Sequence, residues 1–231
     1  ITLFLLGAIG LYGFMFFYLL GVSKTTPVSS SLFSSLQPIW VFILSVIFLR
    51  ERITAMKIIG IAIGLGGALL CILTQKSDDL ASDAFTGNML CLISSIAYAA
   101  YLIVSNVVLG KVSSLNMLRY SFLGAAVSSL IVMAFTGFDG HLFIHFEWTP
   151  FLVLMFVLIF PTTISYLLIP IGLKYLSTTL VALYGYIILI VATIVSLSIG
   201  QDRFSWTQLV AILLICSSVY FVEIAENKEK K

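Results

Sequence analysis

The sequence predicts an all-α protein, a polytopic membrane helix bundle with about eight transmembrane helices. Hydrophobic residues make up 61% of the 231 residues and charged residues only 10%, whereas an ordinary soluble domain has about 25% charged residues. A bilayer core about 30 Å thick requires roughly 20 apolar residues per helix, and only helices or closed barrels satisfy their backbone polar groups there. Continuous apolar runs such as residues 152–159 lack the alternation of barrel strands and therefore favour helices.

Eight apolar segments are separated by charged and turn-forming residues. They are residues 3–22, 27–49, 54–74, 87–109, 115–136, 151–173, 177–199 and 205–224. Most connections between them are short, so consecutive helices are expected to be antiparallel neighbours. Cys71, Cys91 and Cys216 each lie alone in such a segment, which is typical of small hydrophobic residues rather than of a disulfide or metal site.

Basic residues are distributed unequally between the two sides that these segments define. One side carries nine of the 12 lysines and arginines, and the other carries three, namely Lys24, Lys76 and Arg203. Because cytoplasmic loops collect Lys and Arg, the richer side is predicted to be cytoplasmic. The C-terminal tail lies on that side.

The first three segments are similar to the last three when the chain is shifted by 151 residues. Glu51 then falls on Asp202, Arg52 on Arg203 and Thr54 on Ser205. The charge distribution places these two turns on opposite sides of the membrane, so the two copies are inverted. An inverted pair needs an odd number of helices per copy, and the second copy has five. We therefore predict ten helices, five plus five, with a first copy that begins about 64 residues before Ile1, an arrangement typical of secondary transporters.

Several motifs resemble those of EamA-type transporters in the drug/metabolite transporter superfamily. They are TPVSSSL at 26–32, LQPI at 36–39, IFLRERIT at 47–54, IGIAIGLGG at 59–67, and the second-half motifs SYL at 165–167 and GLKYLS at 172–177. The resemblance implies that residues 1–76 hold three helices of a first EamA repeat, that 87–226 hold a complete second repeat, and that 227–231 form a cytoplasmic tail. It also implies export or exchange of amino acids, metabolites or toxic small molecules across the plasma membrane, here the bacterial inner membrane.

Segment 27–49 carries the richest polar face. Ser30, Ser34 and Gln37 have the i, i+4, i+7 spacing of one helical face, and Trp40 lies near mid-segment. Pro38 removes a backbone hydrogen bond, so we predict a kink there that exposes a carbonyl and acts as a hinge. This face either lines the transport path or packs tightly against a neighbouring helix, and we assign Ser34, Gln37 and Trp40 to substrate binding.

Two further segments carry polar or aromatic stripes. Ser94, Tyr98, Tyr101 and Ser105 share one face of segment 87–109, where they fit cavity lining and interhelical hydrogen bonding equally well. Thr163, Tyr166 and Pro170 form a similar stripe, and Tyr184 lies near the predicted cytoplasmic end of its segment. From these stripes the predicted substrate-binding residues are Ser94, Tyr98, Tyr101, Tyr166 and Tyr184, with Pro170 as a second hinge.

Other patterns have structural interpretations. Gly60, Gly64 and Gly67 are typical of close helix packing. The turn at residues 50–52 fits either a gate or a solvated turn that fixes the topology, and we favour the solvated turn. The spacing of His141, His145 and Glu147 is compatible with zinc binding, but a further strong ligand is lacking. No metal or other cofactor is therefore expected.

The middles of the segments contain no Asp, Glu, Lys or Arg. Since phosphorylated substrates require buried Arg or Lys, this pattern favours a neutral, zwitterionic or aromatic substrate. A membrane-embedded enzyme would need a nucleophile, paired aspartates or an HExxH motif, and a receptor or scaffold without transport is the other alternative. The expected partners are a small-molecule substrate and the lipid bilayer, with a homodimer left open. No nucleic-acid partner is expected at a net charge of +2.

Overall fold

The computed structural model describes residues 2–25, 27–73, 84–137, 148–187, 190, 191, 194 and 206–229, which form helices and the turns between them without a β-strand among them. The all-α prediction is confirmed. His141, His145 and Glu147, the turn at Asp202 and most of the second half of segment 177–199 lie outside the described residues.

The described helices follow the predicted order. They are α1 (Thr2–Val22), α2 (Pro27–Ser35), α3 (Gln37–Phe48), α4 (Ala55–Leu73), α5 (Ala84–Leu109), α6 (Ser114–Thr136), α7 (Trp148–Tyr175), α8 (Thr178–Leu183) and α9 (Trp206–Glu229). Helices α1 and α7 contain π-helical turns at Leu6–Leu11 and Leu158–Ile164, and α8 continues as a 3-10 turn at Tyr184–Tyr186. Segment 27–49 is divided into α2 and α3 at Leu36, beside the predicted kink, and the last helix continues to Glu229, beyond the predicted end at 224.

Four described helices, α1, α5, α6 and α7, are long and apolar enough to cross a membrane. Shorter apolar helices lie at Phe33–Phe48, Ala55–Leu70 and Leu209–Ala225. The chain is therefore a multi-pass membrane protein. The count of eight spans stays a prediction, since much of segment 177–199 lies outside the described residues.

Each of two compact units takes residues from both predicted copies: the first is Ile1–Gly13 with Val104–Tyr175, and the second is Phe14–Ile103 with Leu176–Lys231. In the first unit, small residues bring α1 and α6 together. A Cβ built on Gly124 would lie 2.9 Å from Ala8 N, and Ser121 Oγ donates a hydrogen bond to Leu3 O at 3.4 Å. Such close backbone approach is how helices associate in lipid, where apolar side chains gain nothing by leaving the bilayer.

In the second unit, the glycine face of α4 packs against α9. A Cβ built on Gly60 would lie 3.2 Å from Ser218 O, and one built on Gly67 would lie 2.9 Å from Ala211 O. The glycine packing predicted from the sequence is thus present. Because the contacts move back along α9 as they move forward along α4, the two helices are antiparallel.

The 151-residue shift relates these contacts to each other. It places Gly60 on Ala211 and Gly67 on Ser218, while the residues in contact are Gly60 with Ser218 and Gly67 with Ala211. This exchange of partners is what a two-fold axis produces. Helices α4 and α9 are therefore related by a pseudo-two-fold axis in the register that the sequence predicts.

This packing generates a stability prediction with a control on the same helix. A Cβ on Gly64 would lie 2.9 Å from Ser218 Cβ and from Tyr186 Cε2, whereas one on Gly66 would meet nothing within 4 Å. We expect Gly64→Ala to lower the free energy of unfolding by about 1–3 kcal/mol through overpacking. Gly66→Ala is expected to leave it unchanged or to raise it by up to about 1 kcal/mol, because Ala is the better helix former. Thermal unfolding of the purified protein in detergent measures both changes.

Removing the opposing side chain provides the check on this interpretation. Ser218→Gly in the Gly64→Ala protein is expected to restore part of the lost stability, since it removes the Ser218 atoms that the new methyl group meets and leaves its contact with the Tyr186 ring. Equal melting temperatures for Gly64→Ala and Gly66→Ala would contradict the packing.

Candidate functional site

The chain breaks its helix at Leu36, where the sequence predicts a kink. Helix α2 ends at Ser35 and α3 begins at Gln37, with Pro38 in its first turn. Pro38 has no N–H to donate to Ser34 O four residues earlier. The N–H of Ile39 donates to Leu36 O at 3.0 Å, three residues back instead of four. The carbonyl groups of Ser34 and Ser35 therefore lack the N–H donors that they would have in a continuous α-helix.

Tyr186 supplies a donor to one of these carbonyls. Its hydroxyl donates to Ser35 O at 2.6 Å, and the hydrogen bond is buried. The two residues are separated by 151 positions, which is the shift of the internal repeat. Equivalent positions of the two predicted copies thus meet each other at the kink, as they must wherever a pseudo-two-fold axis passes between them.

The predicted polar face of this region is half-buried. Ser34, Gln37 and Trp40 each have intermediate exposure, and Pro38 is buried. The indole Nε1 of Trp40 is buried and has no hydrogen-bond partner among the described residues. A donor in that state costs free energy unless a ligand or water accepts from it. The break thus has a hydroxyl, an amide and an indole N–H within two helical turns, all of them neutral groups.

Three residues of the stripe on α5 contact Phe14 of α1. Ser94 Oγ donates to Phe14 O at 2.7 Å in a buried contact with α1. The rings of Tyr98 and Tyr101 pack on the ring of Phe14, with centroids 5.1 and 5.8 Å away. Of the two interpretations left open by the sequence, interhelical hydrogen bonding is the one that the geometry of Ser94 matches. Tyr98 remains half-buried, and Tyr101 is buried.

The remaining α7 candidates belong to the first compact unit. Tyr166 is buried and its ring packs edge-on against Phe122, with centroids 6.0 Å apart. Pro170 is buried inside α7, which continues through it to Tyr175. Thr163 is exposed and donates to Leu158 O within the π-helical turn. The substrate-binding role of Tyr166 and the hinge role of Pro170 stay predictions.

Two tyrosines on the turn after α8 differ in burial. Tyr184 is 38% exposed, whereas Tyr186 is 3% exposed and bound to Ser35. The structure therefore brings Tyr186 to the kink, and sequence reasoning named Tyr184 instead. The signal that identifies Tyr186 is the repeat itself, because the shift that aligns the two copies maps Ser35 onto it.

The acidic residue of the turn at residues 50–52 is not solvated. The Glu51 side chain is only 11% exposed and pairs with Lys57, which is 1% exposed. Arg50 and Arg52 are exposed, as a solvated turn requires. The interpretation of residues 50–52 as a wholly solvated turn is thus wrong at Glu51, because the chain folds this carboxylate back against α4 and α8.

Comparison with known proteins gives a family for the chain. The EamA-like transporter family model matches residues 1–73 and 85–224. The chain is 24% identical over 216 residues to the uncharacterized transporter YyaM of Bacillus subtilis (strain 168), covering 93% of this chain and 70% of that protein. It is 23% identical over 223 residues to the uncharacterized transporter YetK of the same organism, covering 95% of this chain and 66% of that protein.

A relative in an archaeon and a solved structure extend the comparison. An uncharacterized transporter of Archaeoglobus fulgidus is 34% identical over 114 residues, covering 49% of this chain and 39% of that protein. A crystal structure superposes with a TM-score of 0.80 at 19% identity, covering 99% of this chain and 78% of that chain. At this level of identity, the superposition supports the helical-bundle fold alone.

The tyrosine pair provides a test of the kink. Tyr186→Phe is expected to lower the free energy of unfolding by about 1–3 kcal/mol, because it leaves Ser35 O buried without its hydroxyl donor. Tyr184→Phe removes the same hydroxyl from an exposed ring and is expected to change stability by less than about 0.5 kcal/mol. Thermal unfolding in detergent measures both, and equal losses in the two variants would contradict the assignment of Tyr186.

Proposed function

Since the chain belongs to the EamA-like transporter family, we propose that it is a secondary transporter that exports small metabolites by alternating access between two inverted repeats. The substrates we propose are amino acids and aromatic or toxic compounds. Family membership and relatives that are named as transporters support the coarser function of membrane transport.

The observation that carries the proposal is the broken helix at Leu36–Pro38 beside the buried Trp40 Nε1, for which the described part of the chain provides no hydrogen-bond partner. Non-helical backbone within a membrane is tolerated where protein buries it or where it lines a water-filled cavity. Broken helices with exposed backbone and side-chain groups form the substrate sites of many secondary transporters. Ser34, Gln37 and Trp40 are the residues that we propose contact the substrate, with Pro38 as the hinge.

The chemistry of these groups supports a substrate without a strong net charge. Segments 27–49 and 87–109 contain no Asp, Glu, Lys or Arg, and the polar groups at the break are a hydroxyl, an amide and an indole N–H. Such groups donate to and accept from neutral or zwitterionic molecules. The rings of Trp40 and Tyr98 add flat apolar surfaces on which an aromatic substrate would stack.

The antiparallel contact between α4 and α9 supports the inverted arrangement. An axis that exchanges the ends of these helices also exchanges the two sides of a membrane that they cross. In the proposed mechanism the two copies, residues 1–76 and 87–226, take turns at opening toward opposite sides around the central break. The proposed location is the bacterial inner membrane with the C-terminus in the cytoplasm, in line with the nine-to-three distribution of Lys and Arg. A homodimer stays a prediction.

Transport assays test the proposed site with matched substitutions. We expect Gln37→Ala and Trp40→Phe each to lower the export of a transported aromatic compound or amino acid about tenfold. A tenfold change corresponds to the loss of one hydrogen bond of roughly 1.4 kcal/mol to the substrate. Trp148→Phe is the control for Trp40→Phe, because Trp148 is 69% exposed at the start of α7. The measurement is solute flux in reconstituted vesicles, with candidate solutes chosen from a growth-sensitivity screen.

The amount of protein recovered from the membrane must be equal in all variants. Wild-type flux in both Gln37→Ala and Trp40→Phe would show that this face only packs. If the full-length protein moves no solute from the screen and instead changes a signalling output or binds a lipid, the result would favour a receptor or scaffold over a transporter.

A further inference from the structure

The end of α3 and the start of α8 are joined by a buried polar cluster. The Glu51 carboxylate uses both of its oxygens: Oε1 lies 3.2 Å from Lys57 Nζ, and Oε2 accepts a hydrogen bond from Thr179 Oγ1 at 2.8 Å. Lys57 Nζ also donates to Arg52 O at 3.4 Å. Glu51 and Lys57 belong to the turn and helix that follow α3, whereas Thr179 lies 128 residues away from Glu51 in α8.

The backbone of the turn directs Glu51 into this cluster. Arg50 adopts a φ of 54°, and it is the only residue other than glycine with positive φ in the described part of the chain. A long side chain in the left-handed region is uncommon and is retained where the surrounding structure demands it. Here the next residue, Glu51, turns back so that its N–H donates to Ser45 O at 3.2 Å. The strained residue therefore serves to place the carboxylate.

The two contacts of the carboxylate differ in what they join. The pair with Lys57 joins two residues six positions apart on the same side of the repeat axis, so it stays together when the two copies move. The hydrogen bond from Thr179 joins the first copy to the second copy. When it breaks, Oε2 requires water in place of the hydroxyl, since a buried carboxylate oxygen without a donor is costly. Loss of this bond is thus linked to entry of water at this end of α3 and α8.

We propose that the hydrogen bond between Thr179 and Glu51 is a latch that holds this end of the transport path closed, with Lys57 neutralising the carboxylate in both the closed and the open state. This inference rests on the proposed function. It adds a residue pair that governs which side of the membrane the site faces. Because the charge stays paired throughout, opening exchanges one protein donor for one water molecule, which keeps both states accessible.

The neighbouring residue provides a matched control. Thr178 is also buried, and its Oγ1 has no hydrogen-bond partner among the described residues. Thr178→Val and Thr179→Val therefore make the same change of shape at adjacent buried positions, and only the second removes the donor to Glu51. Thr179→Ser keeps that hydroxyl and is expected to behave as the parent protein.

The reporter is a cysteine introduced as Ser34→Cys at the break, in a full-length protein whose Cys71, Cys91 and Cys216 are replaced by Ser. A membrane-impermeant maleimide is added from each side in right-side-out and inverted vesicles. We expect Thr179→Val to raise the labelling rate from the Glu51 side about tenfold and to lower it from the other side, as the loss of one hydrogen bond to a charged group predicts. Thr178→Val and Thr179→Ser are expected to stay within about twofold of the parent.

The outcomes separate the latch from the proposed function. If the parent is labelled from both sides and Thr179→Val matches Thr178→Val, the latch is wrong while alternating access stands. If the cysteine in the parent is labelled from neither side, both the proposed path and the latch are overturned. Should Thr179→Val not be recovered from membranes, Thr179→Ala carries the test, because it deletes the same hydroxyl without adding a branched methyl group.

Discussion

The close approach of α4 and α9 across Gly60, Gly64 and Gly67 is the constraint on which the second compact unit depends. In lipid, two helices gain little by hiding apolar side chains from each other, so backbone contact over small residues has to hold them. The contact partners of these glycines exchange under the 151-residue shift. Equivalent surfaces of α4 and α9 therefore pack against each other about a pseudo-two-fold axis. A substitution that adds bulk at either copy therefore disturbs both helices at once.

The axis passes close to the kink as well. Gly64 lies against both Ser218 and the ring of Tyr186, and Tyr186 in turn binds Ser35 at the break between α2 and α3. At the break the Ile39 N–H donates to Leu36 O instead of Ser35 O, so Ser35 O requires another donor, and Tyr186 of the second copy supplies it. The helix break and the repeat are thus parts of one arrangement, since the donor is available only where the two copies face each other.

Much of this arrangement can be predicted from the sequence, because it depends on local chemistry. Apolar runs predict the helices, Pro38 predicts the break, and the glycine spacing predicts the packing face of α4. Helical periodicity does not distinguish Tyr184 from Tyr186, since a two-residue difference on an irregular turn decides which ring is buried, and only the 151-residue shift points to Tyr186. The burial of Glu51 also cannot be predicted from local sequence, because it depends on Thr179, which lies 128 residues later. Likewise, a stripe of hydroxyls shows that Ser94 faces inward but not that the Phe14 carbonyl accepts from it.

Helix α8 and the turn after it make both polar contacts with the α2–α3 region. Tyr186 satisfies the carbonyl at the break, and Thr179 binds the carboxylate beyond the end of α3. The two contacts are separated by seven residues, roughly 10 Å along a helix axis. A hydrogen bond on the axis can persist while the helices tilt about it, whereas one some distance away must lengthen and break. In the proposed mechanism Tyr186 would therefore be the pivot and Thr179 the contact that motion opens, a division of roles that follows from their distances to the axis.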